Sequence, residues 1–274
     1  MNSVINETAY NDLLEAIRFE YGYDFTGYAE PTMKRRIANF MENRKIVSVD
    51  DLGKMLLKDE HVFVEFVQHL SITVTEMFRD PAFYKQLRQV VMKHLATYPM
   101  IKVWIAGCAT GQEVYSVAIV LREEGLLERS IIYATDINQR SLQTASQGIY
   151  PLEGMKACTH NYLLAGGTSE FSRYYTADQN SVLLDRTLNQ NVVFSAHNLA
   201  TDRSFNEFQL ILCRNVIMYF NQRLQQQVIA LFHESLCPFG FLGLGDKESL
   251  LLVENKDAFE EVSRKEKIYR KIKI

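Results

Sequence analysis

The stretch V-W-I-A-G-C-A-T-G-Q-E-V-Y, residues 103–115, constrains the fold of this chain more than any other. A short apolar run ends at Ala106, and Gly107 and Gly111 follow with small residues between them. Val114, Val117, Ala118 and Leu121 then recur at helical spacing. Strand, glycine turn and helix are how a doubly wound sheet presents backbone N–H groups and a helix N-terminus to a nucleotide-like ligand. The same turn also joins strands to helices for steric reasons alone, so the rest of the chain has to decide.

From residue 101 onward, apolar runs alternate with amphipathic segments. Strands are predicted at 101–106, 131–135, 192–195, 209–213 and 241–244, and helices at 112–124, 139–147 and 222–236. This alternation predicts a largely parallel sheet with helices on both faces. Phe259–Val262 and Lys267–Ile272 alternate apolar and polar residues and read as an antiparallel pair at the sheet edge. Residues 150–190 fit no such unit and read as an inserted subdomain of small strands or turns, with a weak strand at Ser181–Leu184.

Residues 1–95 read as helical. Tyr10, Leu13, Leu14 and Ile17 form one apolar face, Met33, Ile37, Phe40 and Met41 a second, and Phe63, Phe66, Val67 and Leu70 a third. The second helix also carries Lys34, Arg35, Arg36, Arg44 and Lys45. The first 80 residues hold 9 Lys and Arg against 14 Asp and Glu, so this basic cluster is local. It reads either as a solvated face or as a docking surface for an acidic partner helix. S-I-T-V-T-E-M-F-R-D-P, residues 71–81, breaks the helical pattern and reads as a linker.

Composition narrows the class. A net charge of −3 disfavours broad nucleic-acid binding. No apolar run approaches the ~18–20 residues of a membrane span. The first residues, M-N-S-V-I-N-E-T, show no signal peptide, and the four cysteines form no C-x-x-C pair, so a cytoplasmic protein with reduced thiols is expected. H-E-x-x-H, G-x-S-x-G and a phosphate-binding G-x-x-x-x-G-K-[ST] are all missing, so no metal is expected. The spacing G-C-A-T-G disfavours a dinucleotide and permits a ligand without a pyrophosphate.

In a doubly wound sheet, several further residues converge on the ends of the strands. Glu113 opens the helix after the glycine turn, although Thr110 and Glu113 also fit a capping box. Asp136 ends the second strand, 25 residues past Gly111, where a carboxylate accepts from ribose hydroxyls; it also fits the start of a turn. His197, Asn198 and Leu199 follow the third strand, and Asn198 also suits an ordinary loop. Arg214 and Asn215 follow a buried strand, where a cation and an amide are costly unless paired or facing a site. Tyr219 fits either a site or plain core, and His197 reads as structural.

Taken together, the motifs T-V-T-E-M-F-R, A-G-C-A-T-G-Q-E-V-Y-S, A-T-D-I-N, H-N-L and L-C-R-N-V-I-M-Y-F make the chain resemble CheR-type chemotaxis receptor methyltransferases over nearly its full length. That family uses S-adenosylmethionine to methylate glutamate side chains. The resemblance implies an α/β fold: a Rossmann-like class I methyltransferase domain (99–274) with an inserted β-subdomain (about 150–190). A small helical substrate-docking domain (1–75) and a connecting segment (76–98) would precede it. It implies that Thr73, Thr75 and Arg79 close over the cofactor, and that Gly107 and Gly111 form the floor of its site. Glu113 would meet its methionine end, Asp136 its ribose, and Asn198 and Leu199 its adenine. Arg214 and Asn215 would face the methionine moiety and the reaction centre. Arg79 and Tyr219 would line the substrate carboxylate pocket.

Two departures are visible. Many members carry Asn where this chain has Thr73, and the insertion lacks the R-G-T-G-like loop with which enteric members grip a receptor pentapeptide. The fourth strand is followed by R-N-V-I and not by N-P-P-Y or D-P-P-Y, which favours oxygen over nitrogen methylation. The expected partner is the helical region of a chemoreceptor or related signalling protein, docked on the basic helix of a monomeric enzyme. The alternative is an adaptor that binds S-adenosylmethionine with little transfer.

Overall fold

A computed structural model describes residues 5–70 and 75–272 of the chain. It begins with α1 (Glu7–Tyr21), α2 (Glu30–Arg44), α3 (Val49–Lys58) and α4 (Glu60–Leu70). Asn6 caps α1 by accepting the Thr8 N–H, and Ser48 caps α3 by accepting that of Asp51. Pro31 sits in the first turn of α2, where its missing N–H costs nothing. The three apolar faces predicted for α1, α2 and α4 close a core of their own, completed by Leu52 and Leu56 of α3.

A connecting helix follows: α5 (Pro81–Gln86), a π-helical stretch Leu87–Met92, and α6 (Lys93–Leu95). The remainder runs β1 (Ile101–Ala106), α7 (Gln112–Glu123), β2 (Ser130–Asp136), α8 (Gln139–Gln147), β3 (Ile149–Pro151), α9 (Met155–Leu164), β4 (Tyr175–Ala177), β5 (Ser181–Leu184), β6 (Val192–Ala196), β7 (Phe208–Cys213), α10 (Gln222–Ser235), β8 (Leu236–Leu244), β9 (Phe259–Ser263) and β10 (Ile268–Lys271). The main sheet has the order β6-β2-β1-β7-β8-β10-β9. Its first five strands are parallel, and β10 lies antiparallel to both β8 and β9.

The strand order reverses between β1 and β7, so the ligand crevice lies beyond their C-terminal ends. Alternation along each strand divides the core. Val103, Ile105, Leu210 and Leu212 pack on the α7 side, whereas Trp104, Ala106, Ile211 and Cys213 pack on the α10 side. All four cysteines are buried and free. No helix among the described residues is long and apolar enough to cross a membrane.

The insertion is a three-stranded antiparallel sheet, β3-β5-β4, together with α9. It is fastened at Glu123, the last residue of α7. That carboxylate accepts the hydroxyls of Tyr162 and Tyr174 and the Thr168 N–H, and it pairs with buried Arg88. Burial pushes its carboxyl up, but the Tyr162 hydroxyl and the Arg88 cation outweigh burial and hold it below the usual range. A carboxyl lowered on folding stabilises the protein above its unfolded value of ~4.3, and the contribution fades as pH falls through the folded value. In denaturant unfolding, Glu123→Gln is expected to lose about 1.5–3 kcal/mol at neutral pH. The gap between parent and variant should close in acid, and a gap independent of pH would rule out the ionised carboxylate as the fastener.

Candidate cofactor and catalytic site

The glycine turn is built by backbone conformations that a side chain would disrupt. Gly107, Ala109 and Gly111 have φ of 76°, 48° and 92°. A Cβ on Gly107 would stand 2.5 Å from a Val216 methyl carbon, and one on Gly111 would stand 2.9 Å from the Ala145 Cα. The turn therefore requires glycine at both places. The N–H groups of Gly107 and Cys108 donate to the Thr135 carbonyl at 2.8 and 2.9 Å, which ties the turn to the end of β2. The Tyr150 hydroxyl, at the root of the insertion, donates to the Thr110 carbonyl at 2.7 Å.

Glu113 does not cap α7, because its carboxylate turns into the cleft instead. One oxygen accepts Arg214 Nη1 at 2.9 Å and lies 3.3 Å from the Tyr84 hydroxyl. Arg214 is buried and also donates Nη2 to Asp80 Oδ2 (2.8 Å) and to the Arg79 carbonyl (3.1 Å). Its guanidinium lies over the Phe83 ring at 4.1 Å. Burial alone would lower the Arg214 pKa, but Glu113, Tyr84 and Asp80 outweigh it and keep the cation charged. Arg214 thus locks Glu113 to the linker that carries Arg79. Phe78 and Asp80, on either side of Arg79, have φ of 54° and 55°. Asn215, after Arg214, has φ 62°. Left-handed backbone at non-glycine residues clusters around this cleft, as it does at sites whose surroundings hold strain in place.

Asp136 closes the other end. Its oxygens accept the N–H groups of Ala109 and Asn138, each at 2.8 Å. Burial pushes its carboxyl up, while the N–H groups of Asn138, Ala109 and Ile137 pull against that shift. The cap of α8 is Asn138, so Asp136 is free of that duty and keeps lone pairs for a diol. Asn198 uses its side-chain oxygen to accept the Ala200 N–H at 3.0 Å, an ordinary loop role, while also lining the cleft with Leu199. His197 lines it too, with its ring edge-on to Trp104 at 5.2 Å.

Of the predicted site residues, Thr75, Arg79, Gly107, Glu113, Asp136, Asn198, Leu199, Arg214, Asn215 and Tyr219 line this one cleft. Gly111 stands behind it and shapes the turn. Thr73 lies outside the described residues. Glycine backbone, carboxylates at both ends and an apolar wall at Ile137 and Leu199 suit a ligand that carries an amino acid, a ribose and a base.

The sequence pattern did not reveal that the helical unit supplies a wall. Phe25, Tyr28, Thr32, Met33 and Arg36 all line the cleft. The Ala29 N–H donates to the Tyr219 carbonyl and the Asn221 N–H to that of Gly27, both at 2.8 Å, and Tyr28 bridges Phe220. Tyr219 is therefore held by the segment that leads into α2. Ile137, beside Asp136, packs on the helical core. The basic residues of α2 have separate fates. Arg36 donates to the carbonyls of His69 and Leu70 at 2.9 and 3.0 Å. Lys34 pairs with Glu30 and Arg44 with Glu65, whereas Arg35 and Lys45 are exposed.

Comparison with known proteins shows the family. The family description "CheR methyltransferase, SAM binding domain" matches residues 73–268, and "CheR methyltransferase, all-alpha domain" matches residues 8–71. Cher3 of Pseudomonas putida is 50% identical over 94% of this chain and 95% of its own length. The chemotaxis protein methyltransferase of Listeria innocua is 28% identical over 89% of this chain and 91% of its own. That of Vibrio cholerae, named chemotaxis protein methyltransferase 1, is 27% identical over 92% and 93%. The chain belongs to the CheR family of S-adenosylmethionine-dependent methyltransferases.

Proposed function

We propose that this methyltransferase esterifies glutamate side chains on a chemoreceptor or a related helical signalling protein, releasing S-adenosylhomocysteine. One observation carries the reading: Arg79 and Tyr219 line the same cleft as Glu113 and Asp136. The relatives named as chemotaxis protein methyltransferases favour the same class of acceptor.

The chemistry asks little of a base. A glutamate carboxylate, with a reference pKa of ~4.3, is ionised at neutral pH. S-adenosylmethionine supplies a methyl group on a sulfonium. A carboxylate oxygen forms the new C–O bond as the C–S bond breaks, and that electron pair stays on sulfur as a neutral thioether. The protein has to align the two and exclude water. In this reading Arg79 grips the carboxylate with its planar fork and the Tyr219 hydroxyl orients it. Gly107, Glu113, Asp136, Asn198, Leu199 and Asn215 hold the cofactor, with Thr75 closing from the linker. Arg214 serves it indirectly by fixing Glu113.

The helical domain (1–75) docks the partner, the segment 76–98 connects, and residues 99–274 carry the transfer. Arg35 on α2 and Lys45 just past its end are exposed and are assigned the contact with an acidic partner helix, supported by Lys34 and the exposed, Glu65-paired Arg44 at its margin. The test is incubation with methyl-labelled cofactor and a receptor cytoplasmic fragment. A glutamate ester is expected to release labelled methanol in mild base. A base-stable product sinks the carboxylate reading.

A further inference from the structure

Glu248 lies in the turn after β8, outside the cleft, and is 3% exposed. Among the described residues, the hydrogen bonds its carboxylate accepts all come from backbone donors. Oε2 accepts the N–H of Gly245 at 2.6 Å and that of Asn215 at 2.9 Å. Oε1 accepts Val216 at 2.8 Å and Met218 at 3.2 Å. Among the described residues no cation forms an ion pair with it. A buried, unpaired carboxylate is costly unless donors satisfy it, and four N–H groups do so here. Three of the four belong to the turn after β7 that carries Asn215 and leads to Tyr219. Asn215 is held in left-handed backbone there.

We propose that Glu248 is a positioning residue: its carboxylate sets the Asn215–Met218 turn so that Asn215 faces the cofactor and Tyr219 enters the cleft. The inference rests on the assignment of Asn215 to the cofactor wall. Only a carboxylate meets this need. A glutamine would present an NH2 group to two backbone N–H donors, replacing two hydrogen bonds with donor–donor contacts. An aspartate keeps the charge but withdraws it by about 1.5 Å, one carbon–carbon bond.

The test is calorimetric titration of S-adenosylhomocysteine into the parent and Glu248→Gln, with amide hydrogen exchange on both. Kd is expected to rise about tenfold or more. The N–H groups of Asn215, Val216 and Met218 should exchange faster, while those of β1 and β7 stay protected. A Kd within threefold of the parent overturns the proposal. So does a weaker Kd accompanied by an equal loss of protection in β1 and β7, which marks general destabilisation. Should Glu248→Gln fail to fold, Glu248→Asp is read by the same thresholds. Because the readout is cofactor binding, it is independent of which acceptor is methylated. A base-stable methylated product would sink the proposed function and leave this result standing.

Discussion

Arg214→Met is expected to destabilise the enzyme by about 3–5 kcal/mol and to weaken S-adenosylhomocysteine binding together with it. Methionine comes near arginine in length, and its thioether suits the Phe83 and Tyr84 rings that the guanidinium now covers. Packing is therefore not the main loss. The loss is electrostatic. Glu113 and Asp80 both bond to this cation, and their side chains are 12% and 37% exposed. Without it, Glu113 becomes a nearly buried carboxylate that keeps, among the described residues, the Tyr84 hydroxyl as its side-chain partner. The Arg79 carbonyl loses its donor as well. If the charge left on Glu113 is the cause, the double variant Arg214→Met with Glu113→Gln should recover much of the stability, because a neutral amide tolerates burial. Denaturant unfolding of the two singles and the double measures this. A loss below about 1 kcal/mol in Arg214→Met would mean that water already screens the network.

That network also shows why the site was only partly legible in the sequence. Arg214 after a buried strand stood out because a charge there needs a partner. Its partners lie 101 and 134 residues away, at Glu113 and Asp80, and no spacing rule links them. The alternation on β1 and β7, and the glycines between β1 and α7, are local signals, and they located the crevice. Glu248 carries no such signal. A single glutamate after a strand reads as surface charge until four backbone N–H groups are seen around it.

The same limit applied to the fold. β1 and β7 are readable because each is a compact apolar run buried on both faces. β8 begins at Leu236 and not near 241, since Pro238 and a left-handed Phe239 obscure its start. In the insertion, the pattern reads as small strands or turns where the structure has α9. It buries Met155, Cys158 and Tyr162 at helical spacing, but Leu163 and Leu164 are exposed and blur the periodicity. The bond from the Ala29 N–H to the Tyr219 carbonyl joins residues from the two ends of the chain, which local pattern cannot report.

That bond bears on the substrate roles proposed for Arg79 and Tyr219. Tyr219 is held by the helical unit, and Arg79 by the linker that Arg214 braces. In the proposed reaction the two residues would therefore approach one carboxylate from separate supports. Arg79→Ala is expected to lower kcat by about 10²-fold or more, the scale of a lost orienting contact. The half-buried side chain should leave the thermal midpoint close to the parent's. Arg79→Lys keeps the charge but loses the planar fork, so it should recover only a minor part of the rate. If Arg79 acted by charge alone, Lys would restore most of it. If Arg79 served mainly to bind cofactor, the loss would vanish at saturating S-adenosylmethionine, and KM for cofactor would carry the effect instead. Steady-state kinetics of the three forms, with receptor fragment and cofactor varied separately, distinguish these outcomes. Unchanged turnover in Arg79→Ala removes the residue from the mechanism.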